Sequence, residues 1–411
     1  MADNRIVYFD NIRYLMVLLV VVLHSACGYS NNTQWWAVND SNSIFFDYLL
    51  GMLGVFLMPT LFFIAGYFAL PSLHEKGKWL FIKSKLKRLG IPWLLGVVLV
   101  VPIYNFINLY SRDYPISHLS LWSRFVENIK GALSLHTGFI TSPLQFQHKH
   151  FWFISLLLVF FTIFAFLHDA KKRWITKERA NSKSKVQTTK SILLVLTLVS
   201  FLTAVITFFI YGIFHGTPNK DPWITVASLI QFKASKIMLY ISCFSLGVYA
   251  FEKKWLQQGK APGHFLLWTI LSIGLMYCQS KVSTILMVNF SIGFALGYVL
   301  MRTFLVFTIL LALISFGINH WHKPSKVSRQ LSANSYNIYL LHMIFVVAIQ
   351  LFLLKWFSIS IFIKFGMVTL SSILFSYLIS QYAIRPFPKI SVAGMLSLFV
   401  ILIAVLNPTA I

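Results

Sequence analysis

The residues with the clearest chemical potential lie in the first apolar run of the chain, where Arg13 is followed eleven residues later by His24. In an α-helix this spacing is three turns plus about 20°, so both side chains share one face, roughly 16 Å apart along the axis. A neutral imidazole is a natural general base near pH 7, and a guanidinium binds phosphate. An ionisable group in an apolar run is costly to bury and is usually functional. The pair therefore predicts proton-transfer chemistry, with a packing hydrogen bond of His24 as the alternative.

The elements that must position this pair are membrane helices. The chain has 411 residues, of which 57% are hydrophobic and 11% charged, and its mean hydropathy is +0.73. This exceeds what a soluble domain needs, so we predict an all-α, polytopic transmembrane helical bundle. The net charge is +24, and we expect the cations in cytoplasmic loops rather than in a nucleic-acid site. The three cysteines, Cys27, Cys243 and Cys278, have no CxxC spacing and are expected to be buried thiols.

Apolar runs of about 20 residues, the length that crosses a bilayer, recur along the chain. We predict ten helices, with an eleventh possible in the short run 391–406. The stretch 283–300 fits either an extension of the eighth helix or a segment along the outer surface. The ten runs are 12–29, 44–70, 91–111, 151–168, 191–213, 236–252, 264–279, 297–319, 335–354 and 360–383.

Basic residues concentrate in alternate loops. The loops 71–90 and 169–190 are densely basic, whereas 30–43 has no lysine or arginine and 112–150 and 214–235 have few. Because positive loops stay on the cytoplasmic side, the amino terminus is predicted to be cytoplasmic. Two further basic groups follow the same alternation: Lys253, Lys254 and Lys260, and then Lys323, Lys326 and Arg329.

Five short motifs occur in a fixed order along the chain. They are "RYLMVLLVVVLH" (13–24), "LFFIAGYF" (61–68), "KLKRLGIP" (85–92), "HFWFI" (150–154) and "SYNIYLLH" (335–342). In these features the chain resembles the membrane acyltransferase type 3 family, whose marks are Arg-x10-His, FFxxSGYF, RxxRxxxP, HxWF and SxxIYLxH. The stretches "YFDNIR" and "RLGIP" resemble the sequences of the glucan biosynthesis branch of that family. The resemblance implies an acyltransferase transmembrane domain over 1–385, followed by a C-terminal apolar segment, 386–411, that can form an extra helix.

The resemblance also implies a reaction. An acyl group, acetyl or succinyl, passes from cytoplasmic acyl-coenzyme A to a hydroxyl of a periplasmic or cell-surface glycan, in the bacterial inner membrane. His24 is then the general base, and the donor phosphates are expected at Arg13, Lys85 and Arg88. Lys85 stands where the family has its first arginine, and Ala65 where it has a serine. Acyl-coenzyme A is a co-substrate, no cofactor is bound permanently, and the partners are the glycan and the lipid bilayer, without nucleic acid.

Four other residues are candidates for the site. Asp47 either orients His24 or caps the second helix. His150 and Trp152 are expected at the acceptor, although a tryptophan there also suits an interface anchor. His342 either contacts the substrate or packs against its neighbours. No metal is expected, because the sequence has neither an HExxH motif nor a cysteine–histidine cluster.

The segment "NNTQWW" (31–36) contains two tryptophans in a loop predicted to face outward. Indole rings suit stacking on sugar faces. They also form belts at membrane interfaces, which is the default interpretation here.

Two other classes of function are compatible with these features. A transporter or flippase for a sugar-linked substrate explains buried polar residues without any chemistry, but it predicts an internal repeat that the sequence lacks. A receptor or scaffold that keeps the fold without activity does not need both Arg13 and His24. Radiolabelled acyl-coenzyme A and purified protein distinguish the acyltransferase from both.

Overall fold

A computed structural model of the chain describes residues 6–112, 120–141, 145–175, 188–214, 221–256 and 261–405. In these ranges the protein is a helical bundle with one small sheet. The helices are α1 (Val7–Ala26), α2 (Ile44–Lys76), α3 (Lys78–Lys85), α4 (Ile91–Leu95), α5 (Val101–Tyr110), α6 (Leu121–Leu133), α7 (Trp152–Ile175), α8 (Thr189–Phe214), α9 (Ile237–Glu252), α10 (Phe265–Val288), α11 (Ile292–His320), α12 (Lys326–Leu354), α13 (Ile361–Ile379) and α14 (Pro388–Val405). The strands are β1 (Gly138–Ile140), β2 (Trp223–Val226) and β3 (Ile230–Lys233).

Eleven helical segments of the described ranges are long and apolar enough to cross a membrane. They confirm the all-α polytopic bundle and its ten predicted runs, and the short run 391–406 forms α14, the eleventh such segment. The stretch 283–300 is divided between two helices. Its first residues end α10 at Val288, and the eighth predicted helix, α11, extends back to Ile292.

Several predicted loops lie partly outside the described residues. Their lengths and contacts therefore stay predictions. The segments concerned are 113–119 and 142–144 in the loop 112–150, 176–187 in the basic loop 169–190, 215–220 in the loop 214–235, 257–260 with Lys260, and 406–411 at the end of the C-terminal segment.

The cysteines differ from the prediction at one position. Cys27 and Cys243 are buried, but Cys278 is exposed. Cys278 lies in α10, whose apolar side chains are largely exposed. In a membrane such a surface faces lipid, so an apolar run does not by itself imply burial within the protein.

The third span is one continuous helical run, Lys78–Tyr110, interrupted by two π-helical turns at Leu86–Gly90 and Gly96–Val100. Each π turn is followed closely by a proline, Pro92 or Pro102. Proline has no N–H and crowds the preceding turn, and a π turn absorbs the mismatch without ending the helix. The first π turn contains Arg88, one of the predicted donor contacts.

The motif "LFFIAGYF" packs α2 against α9 at very close range. A β-carbon added to Gly66 meets the carbonyl oxygen of Phe244 at 2.0 Å. A β-carbon added to Gly247 meets the carbonyl oxygen of Phe63 at 2.1 Å. Small residues that let two backbones approach are a common basis of helix association in membranes. The glycine of this motif therefore has a packing role.

Replacing Gly66 with alanine is expected to destabilise the protein. The added methyl group meets backbone rather than a flexible side chain, so α2 and α9 must separate, at a cost of about 1–3 kcal/mol. Gly54→Ala is the matched control, because Gly54 lies in the same helix and its β-carbon has nothing within 4 Å. The melting temperature of the purified protein in detergent measures both. Equal melting temperatures for Gly66→Ala and the wild type would contradict this packing.

The loops at one end of the bundle form a three-stranded antiparallel sheet in the order β1–β2–β3. Gly138 pairs with Thr225, and Ile224 pairs with Phe232. The sheet joins the predicted loops 112–150 and 214–235, so it fixes the chain just before α7. The loop 112–150 carries no motif that predicts a strand.

Candidate active site

Three imidazole rings meet where α1, α12 and the turn before α7 converge. His24 lies in the last turn of α1, His342 in the middle of α12, and His150 in a 3-10 turn, Lys149–Phe151. The ring centroids of His24 and His342 are 5.1 Å apart, and that of His150 lies 5.1 Å from His342 and 6.4 Å from His24. The structure thus brings together three of the predicted site residues.

Hydrogen bonds fix the tautomers of two of these rings. Nδ1 of His342 lies 2.7 Å from the carbonyl oxygen of Tyr339 and 3.2 Å from that of Ile338. Carbonyl oxygens only accept, so Nδ1 of a neutral His342 carries the proton and its Nε2 is an acceptor. Nδ1 of His24, 2.9 Å from that Nε2, is therefore the donor. Nε2 of His24 keeps its lone pair, and among the residues that the structure describes it has no hydrogen-bond partner.

Trp36 is the site residue that the sequence left ambiguous. Its ring stacks on His24 with centroids 5.6 Å apart and planes inclined by 12°. Its indole N–H donates to Oε1 of Gln350 at 2.8 Å, and Nε2 of Gln350 donates to the carbonyl oxygen of Ser25 at 3.0 Å. Trp36 is only 2% exposed, whereas Trp35 is 58% exposed. An interface belt thus fits Trp35 but is wrong for Trp36.

An ion pair holds the loop that carries Trp36. Nζ of the buried Lys364 lies 2.6 Å from Oδ2 of Asp40. The backbone N–H of Asp40 donates to the carbonyl oxygen of Gly28 at 2.9 Å. The loop is therefore tied both to the 3-10 turn that directly follows α1, Cys27–Tyr29, and to α13, which keeps Trp36 over His24.

The turn that carries His150 is anchored by the preceding histidine, His148, and by α12. Burial lowers the pKa of His148 to about 4, so at neutral pH its uncharged Nε2–H donates to the carbonyl oxygen of Ser228, 2.9 Å away. The hydroxyl of Tyr339 donates to the carbonyl oxygen of His150. His150 itself is buried, its Nε2 lies 3.4 Å from the carbonyl oxygen of Leu340, and its Nδ1 has no partner within the described part of the chain.

Asp47 does not orient His24. Its Oδ1 accepts from the hydroxyl of Ser30 at 2.5 Å, and its Oδ2 accepts from the side-chain amide of Asn31 at 2.9 Å. Asp47 lies in the first turn of α2, and these bonds tie the loop after α1 to that helix. The orienting partner of His24 is His342, which lies 318 positions away in the sequence.

Trp152 belongs to a different group of side chains. Its ring stacks on Tyr240 with centroids 5.5 Å apart and packs edge-on to Trp223 at 5.7 Å. It follows His150 by two residues but points toward α9 and β2. The role of Trp152 at the acceptor therefore stays a prediction. If Trp152 contacts the acceptor, it does so together with Tyr240 and Trp223 rather than with the three imidazoles.

The predicted donor cations cluster at the opposite end of α1. Nη2 of Arg13 pairs with Oδ1 of Asp10 at 2.9 Å. Nζ of Lys85 lies 4.1 Å from the ring centroid of Phe161, and the charges of Arg88, Lys76 and Arg13 act on it. The hydroxyl of Tyr336 donates to the carbonyl oxygen of Arg88 at 2.8 Å. Lys76, the last residue of α2, is the cation of this cluster that the motifs missed. It lies in the basic stretch 71–90, whose prediction as a loop is wrong, because these residues are helical except at Gly77.

Among the described residues, no group of three or more histidine, cysteine, aspartate or glutamate side chains is arranged to hold a metal ion. Two of the three imidazoles, those of His24 and His342, are joined instead by a direct hydrogen bond. The arrangement supports acid–base chemistry by the open nitrogen of His24.

Comparison with known proteins gives matches along most of the chain. A family model described as an acyltransferase domain matches residues 6–381. Among curated proteins the chain is similar to Glucans biosynthesis protein C of Escherichia coli (strain SMS-3-5 / SECEC), with 28% identity over 257 residues, and of Escherichia coli (strain K12), with 27% identity over 257 residues. Each alignment covers 60% of this chain and 58% of the relative, so the chain spans less than two thirds of the length of these relatives. No solved structure matches the chain.

Proposed function

This chain belongs to the acyltransferase family, whose domain matches residues 6–381, and we propose that it moves an acyl group from acyl-coenzyme A to a hydroxyl of a glycan on the other side of the membrane. The observation that carries this proposal is the open Nε2 of His24, on the same helix as the donor cation Arg13. The names of the similar curated proteins support a glucan as the acceptor.

The proposed reaction is a direct transfer. Nε2 of His24 accepts the proton of an acceptor hydroxyl, and the oxygen attacks the carbonyl carbon of the thioester. A new ester C–O bond forms, the C–S bond breaks, and the proton on His24 passes to the leaving thiolate. Coenzyme A leaves as a free thiol, and His24 returns to its neutral form.

Two neighbours stabilise the protonated His24. Nε2 of His342 accepts the hydrogen bond from Nδ1–H of His24 at 2.9 Å, and that bond strengthens when the donor ring becomes cationic. The indole face of Trp36 lies parallel to the ring of His24 at 5.6 Å, a distance at which an aromatic face attracts a cation. The ion pair of Asp40 with Lys364 keeps Trp36 in place, and the carbonyl oxygens of Tyr339 and Ile338 hold the ring of His342.

The outward-facing side offers groups that suit a sugar. A small cleft beside the Trp36 loop is lined by the amide side chains of Asn105, Asn108 and Asn128. Nδ2 of Asn108 also donates to the carbonyl oxygen of Trp36 at 3.4 Å. Side-chain amides both donate to and accept from hydroxyl groups, so this cleft supports a carbohydrate acceptor beside the Trp36 loop.

The donor phosphates are proposed to bind Arg13, Lys85 and Arg88. Because Arg13 and His24 are about 16 Å apart along α1, the arm of the coenzyme spans that distance within the bundle. Arg13→Gln and Arg88→Gln are each expected to weaken acyl-coenzyme A binding about tenfold or more, the loss typical of a charge-assisted hydrogen bond. Titration of purified protein with acyl-coenzyme A measures the dissociation constant.

Two further variants sharpen this test. Lys85→Arg introduces the family residue and is expected to bind the donor as the wild type does. Lys389→Gln is the matched control, because Lys389 is an exposed cation on the side predicted to face the cytoplasm. Unchanged donor affinity in both arginine variants would move the donor site elsewhere.

The proposed sidedness predicts which loops an impermeant thiol reagent reaches. In intact cells, cysteines at Asn32 and Ser134, both exposed, are expected to be labelled. A cysteine at Lys183, which lies outside the described residues, is expected to stay unlabelled, because its loop is predicted to be cytoplasmic. The three native cysteines are replaced first, Cys278 in particular, since it is exposed. Labelling of Lys183→Cys in sealed cells would invert the topology.

The product is tested in cells. Mass spectrometry of the surface and periplasmic glycans, with and without the gene, is expected to show an ester-linked acyl group that disappears in the deletion strain. The mass of that group separates acetyl from succinyl. Identical glycan masses in the two strains would contradict a glycan acceptor.

A further inference from the structure

A second group of cations lies apart from the three imidazoles, near α8, α9 and α11. Lys236 precedes α9, Lys233 ends β3, and Arg302 lies in α11. Lys233, Arg302 and Asp221 all act electrostatically on Lys236. Asp221 pairs through Oδ2 with Nζ of Lys233 at 3.4 Å, and its Oδ1 accepts from the backbone N–H of Ser235 at 3.2 Å. The one carboxylate that acts on Lys236 is therefore already bound to Lys233 and to the backbone of Ser235.

The rest of the sequence offers little to neutralise this excess charge. The chain has only 11 acidic residues, and none of them follows Glu252. Residues 215–220, "HGTPNK", lie outside the described ranges but contain no acid. An uncompensated charge in a partly buried place is costly, and a bound anion offsets that cost.

Lys236 and Arg302 also have N–H donors that form no hydrogen bond with the described residues. Nζ of Lys236 forms no hydrogen bond or ion pair with any residue that the structure describes. Nη1 of Arg302 donates to the hydroxyl of Tyr298 at 3.1 Å, and a guanidinium carries five N–H donors. Both residues keep part of their surface exposed.

Aromatic rings line the same group. Tyr240 interacts electrostatically with Arg302 and Asp221. Its ring stacks on that of Trp152, with the ring centroids 5.5 Å apart. Trp223 lies edge-on to Trp152 at 5.7 Å. Aromatic rings offer apolar faces to sugars, and Trp152 follows the site histidine His150 by two residues. The combination of cations and aromatic rings matches a sugar that carries a negative charge.

We propose that Lys236 and Arg302 bind an anionic group, a phosphate or a carboxylate, carried by the carbohydrate acceptor, while Trp152 contacts its sugar ring. The inference rests on the proposed acyl transfer to a glycan and adds that the preferred acceptor is charged. It also gives the excess positive charge of this group a function.

The test compares two acceptors in the absence of any acyl donor. One probe is a neutral glucose oligosaccharide, and the other is the same oligosaccharide carrying one phosphate group. Isothermal titration of the protein in neutral detergent is expected to show about tenfold or tighter binding of the phosphorylated probe. Lys236→Gln and Arg302→Gln are each expected to remove most of this preference and to leave binding of the neutral probe within about twofold.

Two variants control for charge and folding. Lys355→Gln removes an exposed lysine at the end of α12, on the same predicted side, and is expected to bind both probes as the wild type does. Lys236→Arg keeps the cation and is expected to retain the preference. If the wild type binds both probes equally, or if both Gln variants keep the preference, the proposal is overturned.

Lipid is the other source of the same anionic chemistry. Native mass spectrometry of protein from nanodiscs, with phosphatidylglycerol in one arm and only phosphatidylcholine in the other, separates the two sources. The acceptor assignment would be overturned if the wild type retains phosphatidylglycerol selectively, if Lys236→Gln does not, and if the wild type binds the two oligosaccharides equally. Acyl transfer to the neutral oligosaccharide is measured separately. If the wild type transfers the acyl group but shows no preference for the charged probe, only this inference is refuted. If it prefers the charged probe but transfers no acyl group, only the proposed function is refuted.

Discussion

His24→Ala is expected to lower the rate of acyl transfer by about 10²–10⁴-fold, the usual contribution of a general base. The variant removes the nitrogen that takes the proton of the acceptor hydroxyl and leaves the donor cations untouched. His24→Gln is the sharper version, because its amide can still donate to Nε2 of His342 in place of the Nδ1–H of His24. It keeps the structural hydrogen bond and loses the base. The initial rate of labelled ester formation by purified protein measures both.

Folding must be checked independently in these variants. Gel filtration and the melting temperature are expected to match those of the wild type for His24→Gln. His322→Ala serves as the control, since His322 is an exposed histidine in the loop between α11 and α12. A folded His24→Gln protein with activity within a few-fold of the wild type would remove His24 from the mechanism.

His342→Phe is expected to lower kcat by about 10²-fold or more, which is the scale of losing the group that fixes the tautomer of a catalytic imidazole. Phenylalanine fills the buried space of His342 but cannot accept the proton of Nδ1 of His24. Without that acceptor, His24 is free to carry its proton on Nε2, where it is useless as a base. A positioning role of this kind acts on kcat and leaves the KM for acyl-coenzyme A unchanged.

Measuring kcat and KM separately distinguishes a positioning role of His342 from a general packing defect. A packing defect is expected to lower the melting temperature and to change kcat and KM together. His150→Phe gives the comparison, because His150 touches His342 but forms no hydrogen bond with His24 in the described structure, and a smaller fall in kcat is expected. A wild-type kcat in His342→Phe would show that the tautomer of His24 is set by something else.

The sequence predicted the features that follow from helical geometry. Arg13 and His24 lie in one helix because eleven residues of an apolar run form about three turns. The spans were predictable since a bilayer demands about 20 apolar residues. The C-terminal run 391–406 stayed ambiguous only because it is shorter than that length.

What the sequence missed depends on pairing between distant helices. The bond between His24 and His342 joins α1 to α12, and no local pattern indicates that a histidine of one helix faces a histidine of another. Asp47 was the nearer candidate in sequence, but its carboxylate is taken up by the loop at Ser30. The packing role of Gly66 appears only when α9 is beside it.

The cations, too, were predictable from the sequence in one place and not in another. Lys85 and Arg88 were recognisable from a motif, and the π turn that carries Arg88 is followed closely by Pro92. The group around Lys236 and Arg302 has no motif, because its cations come from the turn before α9, from α11 and from β3. The absence of acidic residues after Glu252 bears only on Arg302, since Lys233 and Lys236 precede that position.

The central claim is that this protein joins an acyl group from coenzyme A to a glycan hydroxyl by means of His24. The most direct measurement incubates purified wild-type protein in liposomes with radiolabelled acetyl- or succinyl-coenzyme A and a glucan, and follows both products. We expect labelled ester on the glucan and free coenzyme A to appear in equal amounts, and both to be absent with His24→Gln. Glucan that crosses the bilayer unmodified, with no coenzyme A released by the wild type, would contradict the account and favour a transporter.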